Sequence, residues 1–159
     1  MWKEDVLEGT QYKYKIQHQD GSWQEKVDPF ARFADVPPGN ASIVWESKDE
    51  CGASEQEWLD RRAQTNVYES QMSVYEMHLG RWRKGLTYLE LAEQLPEYLK
   101  WQGYTHVEFM PVMSHPFEGS WGYPPIGLYA PTIRPGRPEE FAALIDAAHR
   151  RGVGVILDW

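Results

Sequence analysis

Four side chains stand where their type and setting could do chemistry: Asp158, Tyr123, Trp121 and His115. Asp158 closes the short apolar run 153–157. A carboxylate at the end of a buried strand can hold a hydroxyl-rich ligand. It can equally cap the next helix or pair with a buried arginine, and both readings stay open. Tyr123 and Trp121 flank Gly122 inside a segment, 120–131, made largely of aromatics, glycines and prolines. Gly122 lets the backbone turn so that flat faces are presented. Stiffened by prolines, such faces suit the flank of a sugar ring; the other reading is a loop tied down by its own aromatics. His115 precedes Pro116, and a lone loop histidine is more often structural than catalytic. Glycosidic-bond chemistry needs two carboxylates, ~5 Å apart for retention and wider for inversion. Glu118 and Asp158 are the only loop-end acids nearby, and nothing in their spacing makes them converge. No His/Cys cluster has metal-ligand spacing and no Gly-x-Ser-x-Gly elbow occurs, so neither metal nor cofactor is expected.

The elements that must position these residues are legible from pattern. In 10–17, Tyr12, Tyr14 and Ile16 alternate with Lys13, Lys15 and Gln17, the signature of a half-buried antiparallel strand. Asp20-Gly21 marks a hairpin turn, with 22–27 returning beside the first strand. Val36-Pro37-Pro38-Gly39-Asn40 is a further turn and 42–45 a short strand. The first ~45 residues thus read as part of an all-β module with too few strands for a complete sandwich. Residues 46–53 are polar and linker-like, and Ser54 is placed to cap a helix over 55–64, with Glu57 completing a capping box.

Beyond Gln71 the period changes. Residues 73–79 form an apolar strand. Thr87 caps a helix with Glu90 three residues on; its apolar face is Leu91, Leu95 and Tyr98 or Leu99, Pro96 is expected to kink it, and Gly103 ends it. Residues 105–111 form the next strand. A loop of more than about a dozen residues follows, a length that usually signals function. Pro138 then opens a helix with Glu139 and Glu140 at its positive end and the stripe Phe141, Leu144, Ile145, Ala148. Arg150 and Arg151 suit its negative end, Gly152 stops it, and 153–157 is a third strand. The order β-α-β-α-β implies parallel strands and an α/β class. A doubly wound nucleotide fold needs a Gly-rich turn after its first strand, and Gly80-Arg81-Trp82-Arg83 lacks one. Gly152-Val153-Gly154 precedes a strand instead of following it. The opening of a (β/α)8 TIM barrel fits better, and in barrels sites gather at the carboxyl ends of strands, where the long loop and Asp158 lie.

Composition narrows the partners. The chain has 159 residues and a formal charge of −8, which disfavours nucleic acid. Arg81-Trp82-Arg83-Lys84 is only a local cationic patch. The single cysteine, Cys51, excludes an intrachain disulfide and fits a reducing, cytoplasmic setting. No apolar run approaches a membrane span, and Met1–Thr10 carries four charges without an apolar core, unlike a signal peptide.

Five segments in order carry a family resemblance: Val74-Tyr75-Glu76-Met77-His78-Leu79-Gly80, Thr105-His106-Val107-Glu108-Phe109-Met110-Pro111, His115-Pro116-Phe117-Glu118-Gly119-Ser120-Trp121-Gly122-Tyr123, Gly127-Leu128-Tyr129-Ala130-Pro131 and Val155-Ile156-Leu157-Asp158-Trp159. Together they closely resemble the opening of the catalytic barrel of the 1,4-α-glucan (glycogen) branching enzymes, in the α-amylase superfamily. Residues 12–45, with Asp28-Pro29 and Val36-Pro37-Pro38-Gly39, look like the closing half of the β-sandwich carbohydrate-binding module that precedes that barrel. The resemblance implies a partial module over 1–46, a linker with a short helix over 47–70, and a barrel opening over 71–159 that stops after the third strand. By the same resemblance Tyr123, with Trp121 beside it, stacks on the sugar next to the cleaved bond, and Asp158 shapes that subsite without being nucleophile or acid. The nucleophilic aspartate, the acid glutamate and the stabilising aspartate of the family have no match here, so no catalytic residue is expected in this chain. Arg81, Pro124 and Pro135 depart from the family, where serine, glutamine and an aromatic are usual.

The implied parent moves an α-1,4-glucan segment to a 6-hydroxyl by a retaining covalent mechanism, with α-glucan as partner and the cytoplasm as compartment. This sequence would be its inactive N-terminal fragment. The alternatives are another superfamily hydrolase, debranching or trehalose-releasing, and a glucan-binding protein without catalysis.

Overall fold

The computed structural model of the protein describes residues 6–46 and 53–159. Cys51, and the linker residues 47–52 around it, lie outside that range. Contacts divide the chain into two units: Met1–Ser47 with Met113–Arg134, and Lys48–Val112 with Pro135–Trp159.

The first unit is built from short antiparallel strands. β1 (Gln11–Tyr12), β4 (Phe33–Ala34) and β5 (Ser42–Ile43) form one sheet in the order β1-β5-β4, and β2 (Tyr14–Gln17) pairs with β3 (Trp23–Lys26) as a hairpin. The hairpin turns at Asp20-Gly21 as expected; Gly21 takes φ +84°, and the Asp20 carboxylate accepts from the backbone and hydroxyl of Ser22. Two expectations are corrected. The strand expected over 10–17 is two strands in different sheets, broken at Lys13. Its second half is not half-buried: every residue of β2 and β3 is exposed. A lone two-stranded ribbon has no second layer against which an alternating face can bury. What holds the tyrosines is Asp28. Its carboxylate accepts from the Tyr12 hydroxyl at 2.5 Å, from Tyr14 at 3.2 Å and from the Phe30 amide at 2.9 Å. Burial raises the carboxyl pKa, and these donors more than reverse that, leaving it below the usual aspartate value.

The second unit holds a parallel sheet in the order β6 (Val74–Met77), β7 (His106–Phe109), β8 (Gly154–Leu157). Tyr75, Val107 and Val155 share one register row and Met77, Phe109 and Leu157 the next on the same face. That face takes both crossover helices. Tyr75 meets Tyr98 of α3 (Tyr88–Gln102), and Phe109 meets Phe141 of α4 (Pro138–Arg150). A one-turn helix, α2 (Leu79–Trp82), follows β6 and is capped by His78, whose Nδ1 accepts from the Gly80 amide at 3.1 Å.

Helix α3 starts where its sequence says. The Thr87 hydroxyl accepts from the Glu90 amide, and the Glu90 carboxylate accepts from the Thr87 amide at 2.8 Å. The helix continues through Pro96 and ends at Gly103, φ +83°. Leu91, Leu95 and Leu99 are fully buried, each such burial stabilising by about 1.5–3 kcal/mol. In α4, Phe141, Leu144 and Ala148 are buried while Ile145 is only partly covered. α1 (Ala53–Gln64) packs on α4 through Trp58, whose ring lies on His149 at 4.4 Å and 6°. The expected Ser54 cap is not made. Ser54 lies inside the helix, and its hydroxyl donates to the Asp146 carboxylate instead.

Candidate functional site

The segment between β7 and α4 is long because it folds back on itself. Met113 and Pro131 form an antiparallel bridge, the Ser114 amide donates to Ala130 O at 2.8 Å, and the Ile126 amide donates to Ser114 O at 2.7 Å. These bonds draw a neck at 113–115 and 130–132. Beyond the neck, Tyr129 stacks on Phe30 of the same unit at 5.8 Å and 18°. A stacked pair of this kind contributes about 0.5–1.5 kcal/mol beyond its area.

The tip is a tight turn. A single 3-10 turn, Glu118–Ser120, leads into two consecutive left-handed residues, Trp121 at φ +60° and Gly122 at φ +94°. The Tyr123 amide reaches back to Ser120 O at 3.4 Å. Gly122 adopts this conformation without penalty. Trp121 does not: a bulky residue there costs of order 1–3 kcal/mol and persists only where the surroundings enforce it. The result is that Trp121 and Tyr123 stand 52% and 53% exposed. Two large aromatic side chains half-exposed on a pinned, strained turn form a surface suited in shape to a flat, partly apolar ligand.

His115 has the structural role expected of a lone loop histidine. It is 4% exposed, and its Nδ1 donates to Met113 O at 2.9 Å. Arg134 closes the other side, donating to His115 Nε2 at 3.1 Å, His115 O at 3.0 Å and Thr132 Oγ1 at 3.1 Å. Sequence reading did not single out Arg134. Its partner lies 19 residues away, and only the closed neck joins them. The nearest signal was an arginine between a proline-bounded turn and a helix start. Next to His115, the Ser114 hydroxyl is fully buried and, among the described residues, is the buried side-chain polar atom without a hydrogen-bond partner.

Asp158 belongs to the second unit. It follows β8, and its amide donates to Phe109 O at 2.9 Å. The Met110 amide makes the same bond to Met77 O, so His78, Met110 and Asp158 stand one past the last register row, at the carboxyl end of the sheet. That is the end at which parallel α/β sheets bind ligands. Trp121 and Tyr123 are brought together on one turn of the first unit; Asp158 belongs to the second.

No protein-family model matches the chain. Curated relatives do. A 1,4-alpha-glucan branching enzyme GlgB from Cutibacterium acnes is 54% identical over 156 residues, which is 98% of this chain and 24% of that protein. One from Kitasatospora aureofaciens is 54% identical over 97% of this chain and 20% of its own length. Among solved structures, a Salmonella typhimurium protein assigned as an alpha amylase superposes with a TM-score of 0.74 at 34% identity, over 96% of this chain and 24% of that one. The chain therefore spans 20–24% of the length of these two relatives, at an identity that marks common descent. Over nearly its whole length the chain is similar to one segment of the 1,4-α-glucan branching enzymes.

Proposed function

We propose that the full-length protein carrying this chain is a branching enzyme of the cytoplasm that acts on α-1,4-glucan, and that this chain supplies part of its sugar-binding wall. The observation that carries the reading is the turn at Trp121-Gly122-Tyr123, where a pinned and strained backbone exposes two aromatic faces. Tyr123 stacks on the sugar beside the cleaved bond, Trp121 extends that face, and Asp158 accepts from sugar hydroxyls. Residues 1–46 are part of a carbohydrate-binding sandwich, 47–70 a linker with a helix, and 71–159 the first three strands of a (β/α)8 barrel. The parallel order β6-β7-β8 with both helices on one face supports the barrel reading.

The chemistry is retaining. A carboxylate attacks the anomeric carbon while an acid protonates the departing glycosidic oxygen, giving a covalent glycosyl ester. A glucan 6-hydroxyl then displaces the carboxylate, giving its proton to the same acid group, now a base. This chain holds neither the nucleophile nor the acid in the family reading, so alone it binds without turning over. Its part is orientation: stacking fixes the ring, and small misplacements of a reacting bond can cost ~100-fold in rate.

Full-length enzyme incubated with amylose tests the reading. Iodine absorbance should fall and shift while reducing ends stay constant, because each cleaved bond is re-formed as a branch. The α-amylase likeness favours one rival, a hydrolase. Reducing ends rising in step with the loss of iodine colour would establish the rival.

A further inference from the structure

The donors and acceptors around His115 permit one arrangement. Met113 O can only accept, so the proton sits on Nδ1; the Arg134 guanidinium can only donate, so Nε2 presents its lone pair. His115 is therefore a neutral Nδ1–H imidazole wedged between a backbone carbonyl and a guanidinium. Arg134 meanwhile bonds the His115 ring, the His115 carbonyl and the Thr132 hydroxyl, all at 3.0–3.1 Å. One planar fork thus ties the first strand of the neck to the second. The Ser114–Ala130 and Met113–Pro131 pairings lie beside it. All of this belongs to one unit, as do Trp121 and Tyr123. The turn they occupy includes a left-handed tryptophan, a conformation that relaxes unless the loop's ends are held.

We propose that Arg134 is a positioning residue for glucan binding: through the neutral Nδ1–H form of His115 it clamps the neck of the loop and so keeps the Trp121–Tyr123 face in its binding geometry. The proposal rests on the reading of that face as the sugar wall. Arg134 touches no substrate and takes no part in bond-making. Its contribution reaches the sugar only through the placement of the two rings. A lysine in its place keeps the charge but is a point donor, not a planar fork, and cannot span three acceptors in two strands.

The test is a double-mutant cycle in the full-length enzyme with a maltooligosaccharide donor. Arg134→Ala should raise KM several-fold with a melting temperature within a few degrees of wild type. Arg134→Lys should recover only part of that loss. In a Tyr123→Ala background, Arg134→Ala should add little further, because its effect passes through a ring no longer present; residues acting in one chain are non-additive. Fully additive effects would overturn the clamp, as would an Arg134→Lys enzyme indistinguishable from wild type. The two readings fail separately. If Tyr123→Ala leaves KM unchanged, the sugar wall is wrong and the clamp falls with it. If Tyr123→Ala raises KM and Arg134→Ala does not, the wall stands and the clamp alone is wrong. Should Arg134→Ala fold poorly, Thr132→Val removes one of the three acceptors and should give a smaller KM rise in the same direction; no rise there contradicts the proposal.

Discussion

Trp121 takes a left-handed backbone with its side chain half-exposed, and that makes the loop testable one residue at a time. Trp121→Gly removes the left-handed strain of about 1–3 kcal/mol together with a half-exposed ring, so in a titration with maltooligosaccharide, glucan affinity should fall even though the turn itself is retained. Tyr123 separates ring from hydroxyl. In the full-length enzyme Tyr123→Ala should reduce kcat/KM by one to two orders of magnitude, and Tyr123→Phe should retain most of it; equal activities in the two variants would assign the ring to loop packing. Ser114 carries the opposite expectation. Its buried hydroxyl lacks a hydrogen-bond partner, so Ser114→Ala should stabilise by about 1 kcal/mol, read as an upward shift of the denaturant midpoint. That the chain turns at Gly122 and presents Trp121 and Tyr123 was legible from an aromatic-Gly-aromatic run between prolines. The Arg134–His115 clamp was not, since its partners are distant in sequence and each is an ordinary loop residue until the neck closes. The positive φ of Trp121 was equally hidden: adjacent glycine accounts for a turn on its own, and no local pattern announces that its neighbour must turn as well.

Among the elements, the start of α3 came through from its local signal. Thr87 and Glu90 make both bonds of the capping box, so Thr87→Ala should cost about 1 kcal/mol. Gly154, in β8, faces His106 across the β7–β8 pair: a Cβ there would come within 2.3 Å of the imidazole Cδ2. Gly154→Ala should therefore destabilise by about 1–3 kcal/mol through overpacking, unless His106 is truncated as well. Contacts between elements escaped the sequence. Ser54 reads as a cap yet donates to Asp146 across the α1–α4 packing, and the alternation of β2 reads as half-burial although the ribbon has nothing to bury against. The same α1–α4 packing sets a pH dependence. Burial, with the ring stacked on Trp58, is the largest influence on His149 and lowers its pKa; Glu55 and Asp146 raise it, Arg62 and Arg61 lower it, and the net shift is downward. The docked state thus prefers neutral imidazole. Its contribution is complete above the ordinary histidine value of about 6.5 and is lost as pH falls through the lowered one. Amide exchange over 53–64, corrected for intrinsic rate, should show α1 loosening in that window, and His149→Phe should abolish the pH dependence.

At the scale of the whole chain, the change from a strand-rich first third to alternating strands and helices was visible from the period of the apolar residues. The grouping of 113–134 with the first 47 residues was not, because it depends on long-range pairs such as Tyr129 with Phe30 that no local pattern encodes. Among the described residues no helix is long and apolar enough to cross a membrane. The chain covers 24% of its Cutibacterium acnes relative, and the proposed function amounts to a division of labour: these residues would help hold the glucan, and the carboxylates that break and re-form its bonds would lie elsewhere in the full-length enzyme. Proton NMR of amylose incubated in parallel with the 159-residue chain and with the full-length enzyme measures this directly, by counting α-1,6 anomeric signals against reducing ends. The full-length enzyme should build α-1,6 signal without new reducing ends, and the 159-residue chain should build neither. Branch signal generated by the 159-residue chain alone, in proportion to protein added, would contradict the account by placing a complete set of catalytic carboxylates within it.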